Sequence, residues 1–194
     1  MDDNDLLRLL RARAESGTPN RPTAATTVAD FERAAGLHLP TFYVRLLTEV
    51  ANGGFGPGFG IVGIPPDGFV DEDLGGNLLE AYLQRRDCEE AAWRLPPGLL
   101  PLCNWGCGTF SYIDTRSIGA AVFTEDVLQE RIEYIETAVT LAAWLSDWIA
   151  GVNLEEKMYE TTGYRDGINP FTGKPMQLPI RRLLGRRFDL SARS

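Results

Sequence analysis

Reactive side chains are scarce in this sequence, which holds one histidine and three cysteines among 194 residues. His38 sits in a Leu-His-Leu-Pro stretch with no nucleophile and no cluster of metal ligands beside it, so its expected role is local and structural. Cys88, Cys103 and Cys107 form an odd set, so a disulfide framework is not expected, and reduced thiols acting as small buried hydrophobes are. Cys103 and Cys107 lie close together, but tetrahedral zinc needs four ligands, and Cys88 and His38 belong to unrelated segments. No metal and no cofactor is therefore expected. The nucleophile elbow Gly-x-Ser-x-Gly is absent. The glycine runs at 53–60 and 106–108 lack the lysine of a phosphate-binding loop and the strand-to-helix setting of a dinucleotide fingerprint, so turn chemistry explains them. With no catalytic residue to name, the chain reads as a non-enzyme.

Long apolar runs are missing too. No stretch approaches the roughly 18 residues that a membrane-spanning helix needs. The opening MDDNDLLRLLRARAES is acidic and then mixed in charge, unlike a secretory leader, and predicts a cytoplasmic protein. Charge is plentiful but uneven. Residues 161–194 hold seven Lys or Arg against two Asp or Glu, and the rest of the chain holds 12 against 25, which puts the tail near +5 and the body near −13. An acidic body repels nucleic acid phosphates and attracts a basic protein, so the predicted partner is a protein, not a nucleic acid and not a membrane.

Apolar periodicity organises the chain. Leu6, Leu7, Leu9 and Leu10 among charges predict a first helix over 3–16, and the Gly/Pro-rich segment 17–26 reads as a linker. Thr27, with Asp30 three residues on, predicts the cap of a second helix with Val28, Phe31, Ala34 and Ala35 inside and Gly36 at its end. Pro40 suits the first turn of a third, with Phe42, Tyr43, Leu46, Leu47 and Val50 at helical spacing and Asn-Gly-Gly at 52–54 as its stop. IVGI at 61–64 predicts one short strand, and a helix is expected from Leu78 to about Trp93. LLPLCNW, GTFSYID, IGAAVF and RIEYIE then read as four strands, too closely spaced for parallel crossovers and so antiparallel. IGAAVF is apolar on both faces, which predicts a central position. Thr137 is expected to open another helix, through Leu141, Leu145, Trp148 and Ile149 to Gly151. The basic tail, with Pro170, Pro175 and Pro179, is expected to run extended along the body on Phe171, Leu178, Ile180 and Leu183. The fold class these segments predict is α+β, a mainly antiparallel sheet with helices packed on one face. The domain organisation predicted is an N-terminal helix and linker at 1–26, a domain at 27–151 and a C-terminal extension at 152–194.

Candidate contact residues are suggested by charge and aromatic content. Asp71, Glu72 and Asp73 form a carboxylate cluster without the spacing of a calcium loop, which favours solvated charge and electrostatic steering. Glu125 and Asp126 add a second acidic pair. Trp105, between turn residues, is the aromatic with the best prospect of partial exposure. Gly106 and Gly108 let the chain reverse, and Asp114 can accept from backbone N–H groups in the turn through Ser117.

The segment FERAAGLHLPTFYVRLLTEVANGG resembles the opening of the SUKH superfamily, in which a short helix leads through an apolar residue and proline into a second helix ending near Asn-Gly. LPLCNWGCGTFSYID is similar to the strand-turn-strand of the same superfamily. The matching positions are Asn52, Gly53 and Gly54, then Leu100, Pro101, Trp105, Gly106, Cys107, Gly108, Tyr112 and Asp114. With the helix around Trp144 and Trp148, the resemblance covers roughly 27–151. Thr109 stands where the pattern usually has Asp, so no acidic site is carried over there. The resemblance implies a non-catalytic domain that binds proteins, such as a bacterial toxin-immunity protein. Two alternatives stay open: a regulatory or scaffold module, as the cell-wall-synthesis regulators in the superfamily imply, and a small-ligand protein or enzyme with a pocket near the 53–64 loop.

Overall fold

The computed structural model describes residues 1–106, 108–127, 131–169 and 172–187. Cys107, Pro170 and Phe171 lie outside the described residues. Helix α1, Asp3–Glu15, starts where the Asp2 side chain accepts the Asp5 N–H at 2.9 Å, and it buries Leu6, Leu7, Leu10 and Ala14 along one stripe. Helix α2, Ala25–Ala35, buries Val28, Phe31 and Ala35 and ends on Gly36 at φ +70°, a left-handed conformation that glycine adopts without strain. Its cap is Ala24, with no side-chain hydrogen bond, so Thr27 lies inside the helix and not at its start.

Pro40 caps α3, Thr41–Arg45, which continues as a π-helical turn over Leu46–Val50 closed by Ala51 N–H donating to Leu46 O at 3.1 Å. Beyond it, buried Asn52 clasps Ile64 with both halves of its amide: Nδ2 donates to Ile64 O at 2.9 Å and Oδ1 accepts Ile64 N–H at 2.8 Å. Gly53 must be glycine. Its φ is +83°, and a Cβ there would lie 2.5 Å from Ile61 O. Gly54, also at positive φ, donates its N–H to Ile61 O at 2.9 Å. The predicted strand at 61–64 is reduced to a bridge between Ile61 and Cys103 and a bond from Val62 N–H to Leu102 O, because the flanking glycines fold the loop back on itself.

A short 3₁₀ turn, Glu72–Leu74, precedes α4, Leu78–Arg86, which opens with a complete capping box between Asn77 and Glu80. The helix stops at Arg86, well short of Trp93. Arg94 reaches back to the carbonyls of Cys88 and Glu89, at 2.7 and 3.2 Å, and closes the segment as turns.

Strands β1 (Leu99–Asn104), β2 (Phe110–Asp114), β3 (Val122–Val127) and β4 (Ile132–Ala138) pair antiparallel in that order, and β7 (Arg186–Arg187) adds beyond β4. β3 is therefore central, as the two-sided apolar pattern predicts. It begins only at Val122. Ile118–Ala121 form the turn before it, tied down by Arg116 N–H to Asp114 Oδ1 at 3.1 Å and Ala121 N–H to Ser117 Oγ at 2.7 Å. Thr137 belongs to β4, and helix α5, Leu141–Ile149, is capped by Thr140 instead. The hydroxyl of Thr137 is directed into the sheet, where it donates to Val122 O at 3.3 Å. Helix α5 packs on β4 and against α1 and α3, and α2 packs on α4. The result is a mixed α+β fold. One continuous core runs from Leu6 to Leu154 and includes Tyr43, Phe110, Tyr112 and Trp144.

The basic tail is not a strap. After α6 (Leu154–Met158) the chain forms a hairpin of β5 (Tyr159–Ile168) and β6 (Pro175–Leu183), a second, two-stranded sheet. Pro175 and Pro179 are tolerated because β6 has a free edge, where a missing N–H breaks no ladder. The tail residues named as anchors divide. Leu183 is buried against Ile135 and Met158, Leu178 is half-buried, and Ile180 is exposed. Because a two-stranded sheet is marginal alone, the hairpin depends on that buried end. Leu183→Ala is expected to remove about 2–5 kcal/mol of anchoring and to speed tryptic cleavage at Arg165 by about tenfold or more, with the preceding domain intact. Unchanged cleavage in a time course by mass spectrometry would show that the hairpin is held otherwise.

Candidate protein-binding surface

Two of the predicted contact segments meet through a residue that sequence reasoning passed over. Asn104, the last residue of β1, is fully buried. Its Nδ2 donates to Asp71 Oδ1 at 3.0 Å and to Asp73 Oδ2 at 2.9 Å, and its Oδ1 accepts Gly106 N–H at 2.8 Å. Asp71 is itself buried and caps the 3₁₀ turn by accepting Asp73 N–H at 3.0 Å. One amide thus fixes the acidic loop to the turn after β1. Its placement at the end of an otherwise apolar strand, LLPLC, was the available signal.

That turn carries Trp105, which is half-buried. Trp105 N–H donates to Thr109 O at 2.9 Å, and its indole N–H donates to Ser111 Oγ at 2.8 Å. The ring stands edge-on to Trp144 of α5, with centroids 6.1 Å apart. Gly106 and Gly108 both have positive φ. Phe59 from the glycine-rich loop donates its N–H to Asn104 O at 2.9 Å, and a Cβ at Gly106 would lie 3.4 Å from its ring. Gly58 permits this approach, since a Cβ there would lie 2.2 Å from Asn104 O. Phe59 is nonetheless 61% exposed, and Val70, just before Asp71, is 47% exposed. Exposed Phe59, Val70, Glu72 and Asp73 thus belong to two segments that Asn104 ties together.

Glu125 and Asp126 lie elsewhere. Glu125 is buried on the side of the sheet that carries Tyr112, where it accepts Phe110 N–H at 2.8 Å and the Tyr112 hydroxyl at 2.6 Å. The Arg85 guanidinium of α4 donates to that same hydroxyl, stands 3.7 Å from Glu125, and covers the Phe110 ring at 4.9 Å. Tyr134 meets Tyr112 edge-on with centroids 5.2 Å apart. Burial pushes the Glu125 carboxyl upward from the usual carboxylate range, against the lowering influence of Tyr112, Arg85 and the Phe110 N–H. Tyr112 is raised by burial first and by Glu125 second. Every oxygen of Glu125 is engaged inside the protein, so its charge is internal. Asp126 is half-buried, and its charge helps raise Tyr159, whose shift comes first from burial.

The remaining candidates are quiet. Cys103 is buried and its thiol is pushed well up by burial. His38 is exposed, 3.9 Å from Glu32. Among the described residues no group of three or more His, Cys, Asp or Glu is placed to hold a metal ion, and no helix is long and apolar enough to cross a membrane.

An antiparallel sheet opened by a helix pair, an Asn-Gly-Gly clasp and a tryptophan turn define the class as a mixed α+β domain whose shaped features are on its outside. The family model described as SMI1-KNR4 cell-wall, SUKH_6, matches residues 25–145, well over half the chain, and the protein belongs to that family. No curated protein and no solved structure matches it.

Two substitutions test this geometry. Asn104→Ala leaves buried Asp71 and the Gly106 N–H short of a partner, with an expected loss of about 1–3 kcal/mol in denaturant unfolding and faster amide exchange at 71–73 and 106–109. Exchange unchanged at both segments would sink the idea of a shared staple. For Glu125, a carboxyl whose pKa is higher folded than unfolded stabilises the fold fully below the unfolded carboxylate range, and that contribution is lost as pH rises through the folded value. Glu125→Gln stays neutral throughout. The stability of the natural protein relative to this variant should therefore decline as pH rises from the usual carboxylate range, about 4, through the raised folded value; a gap widening in its favour as pH rises would contradict the assignment.

Proposed function

We propose that this chain is a non-catalytic, cytoplasmic protein-binding domain of the immunity type, which neutralises a bacterial toxin by covering a basic surface of it. The observation that carries this reading is the patch built on Asn104, where exposed Phe59 and Val70 sit beside the carboxylates of Glu72 and Asp73 on a body near −13 in formal charge. Such an arrangement suits fast and tight association. The acidic field steers a basic partner into encounter, and a few desolvated aromatic groups supply most of the affinity. Family membership supports a binding role. Asp71 and Glu125 contribute as internal struts under this reading, and Trp105 as the support for the turn.

The family description, with its mention of the cell wall, favours a second reading, a regulatory module that binds cellular partners through the same patch. Co-expression with candidate toxin domains separates the two: the immunity reading expects co-purification with one of them and loss of its toxicity. Within that complex, raising salt from about 0.05 to about 0.5 M should slow association by roughly tenfold or more. Phe59→Ala should weaken binding by about 30-fold, the equivalent of about 2 kcal/mol for an anchor residue. An association rate indifferent to salt, together with an unchanged affinity for the Phe59 variant, would remove the patch from the interface.

A further inference from the structure

A separate concave site lies at the outer edge of β4, built by elements that the patch does not use. Ile132 N–H donates to Ala92 O at 3.1 Å, so the turn region after α4 runs beside the start of β4, while Arg187 of β7 pairs with Ile135 further along. Between them is a cavity of about 300 Å³. Ala91, Ala92, Pro96 and Ile132 give it apolar walls. Arg94, Arg131 and Arg187 also line it, with Glu133 as the only carboxylate among the described lining residues.

Three guanidiniums against one carboxylate invert the balance of a chain in which 27 Asp or Glu face 19 Lys or Arg. Each arginine is partly engaged, and each keeps donors in reserve. Arg94 uses Nε and Nη2 on the Cys88 and Glu89 carbonyls, Arg131 uses Nε and Nη2 on Glu133, and Arg187 uses Nη1 on Glu133. Those bonds hold the guanidinium groups in place. Tyr134 lines the cavity as well. It is only 7% exposed, its ring is fixed against Tyr112, and among the described residues its hydroxyl makes no hydrogen bond. Its hydroxyl is a donor from which a ligand oxygen in the cavity can accept.

We infer that this cavity binds a small organic anion, a compact apolar body carrying one carboxylate, with the arginines taking the charge and the Tyr134 hydroxyl donating to an oxygen. The volume lies at the lower end of the usual range for ligand sites, which suits a single-ring acid. Charge-assisted hydrogen bonds to the guanidinium groups supply the selectivity for an anion, and the apolar walls supply the selectivity for an organic one.

Benzoate is the probe, titrated into the full chain labelled with nitrogen-15, with benzyl alcohol and inorganic phosphate as comparisons. Saturable shifts confined to the amides of 91–95 and 131–134 are expected, with benzyl alcohol and phosphate at least about tenfold weaker, the ratio of one charge-assisted hydrogen bond. Arg94→Met and Arg187→Met should each weaken benzoate by about tenfold, and Tyr134→Phe by a smaller factor. Arg165→Met, on the hairpin, should leave it unchanged. The inference is overturned if benzoate does not saturate, if the shifts fall elsewhere, if benzyl alcohol or phosphate binds equally well, or if neither arginine variant weakens binding. None of these outcomes bears on the Phe59 patch, which lies on other elements.

Discussion

The buried amide of Asn104 holds three segments that are distant in the chain. Its side chain binds the carboxylates of the 71–73 turn and the backbone of the tryptophan turn, and its own carbonyl accepts the N–H of Phe59. Each of those segments is rich in glycine or acid and would be a loose loop alone. A neutral residue is required here, because a carboxylate would repel Asp71 and Asp73, and an apolar side chain would leave buried polar groups unpaired. One residue thereby gives the surface a fixed shape: an exposed aromatic, an acidic turn, and a tryptophan braced from below by Ser111 and Trp144.

A second buried group divides the acidic residues into those that face a partner and those that do not. Glu125 accepts from Phe110 and Tyr112 and is approached by Arg85, so its charge serves to hold β2, β3 and α4 together. A buried ion pair of this kind contributes little net stability, but breaking one half is expensive, which makes it a device for specifying one arrangement of strands and helix. Glu72 and Asp73, by contrast, are exposed, and charge in such positions acts on encounter more than on folding.

Periodicity made most of the scaffold legible. The stripe Leu6, Leu7, Leu10, the run Tyr43 to Val50 and three of the four closely spaced apolar segments lie where their spacing puts them, while the fourth, IGAAVF, supplies only Val122 and Phe123 to the central strand. Boundaries set by tertiary contacts were not legible. Arg94 folding back on Cys88 and Glu89 shortens α4, and Thr137 is drawn into the sheet, so that Thr140 caps α5. The hairpin at 159–183 was hidden by its own prolines, which read as breakers unless the free edge of the strand is known. In the candidate site, Asp71, Glu72, Asp73 and Trp105 could be named from type and context. Asn104, Phe59 and Arg85 could not, because their importance lies in long-range pairing that no local pattern encodes.

The most direct measurement is amide hydrogen exchange on the protein alone and bound to the protein that co-purifies with it. If the surface assembled by Asn104 is the contact face, protection on binding will appear together at 55–60, at 70–73 and at 105–109, three stretches that this side chain and its carbonyl tie together. Protection confined to other parts of the molecule, with those three stretches exchanging as in the free protein, would contradict the account.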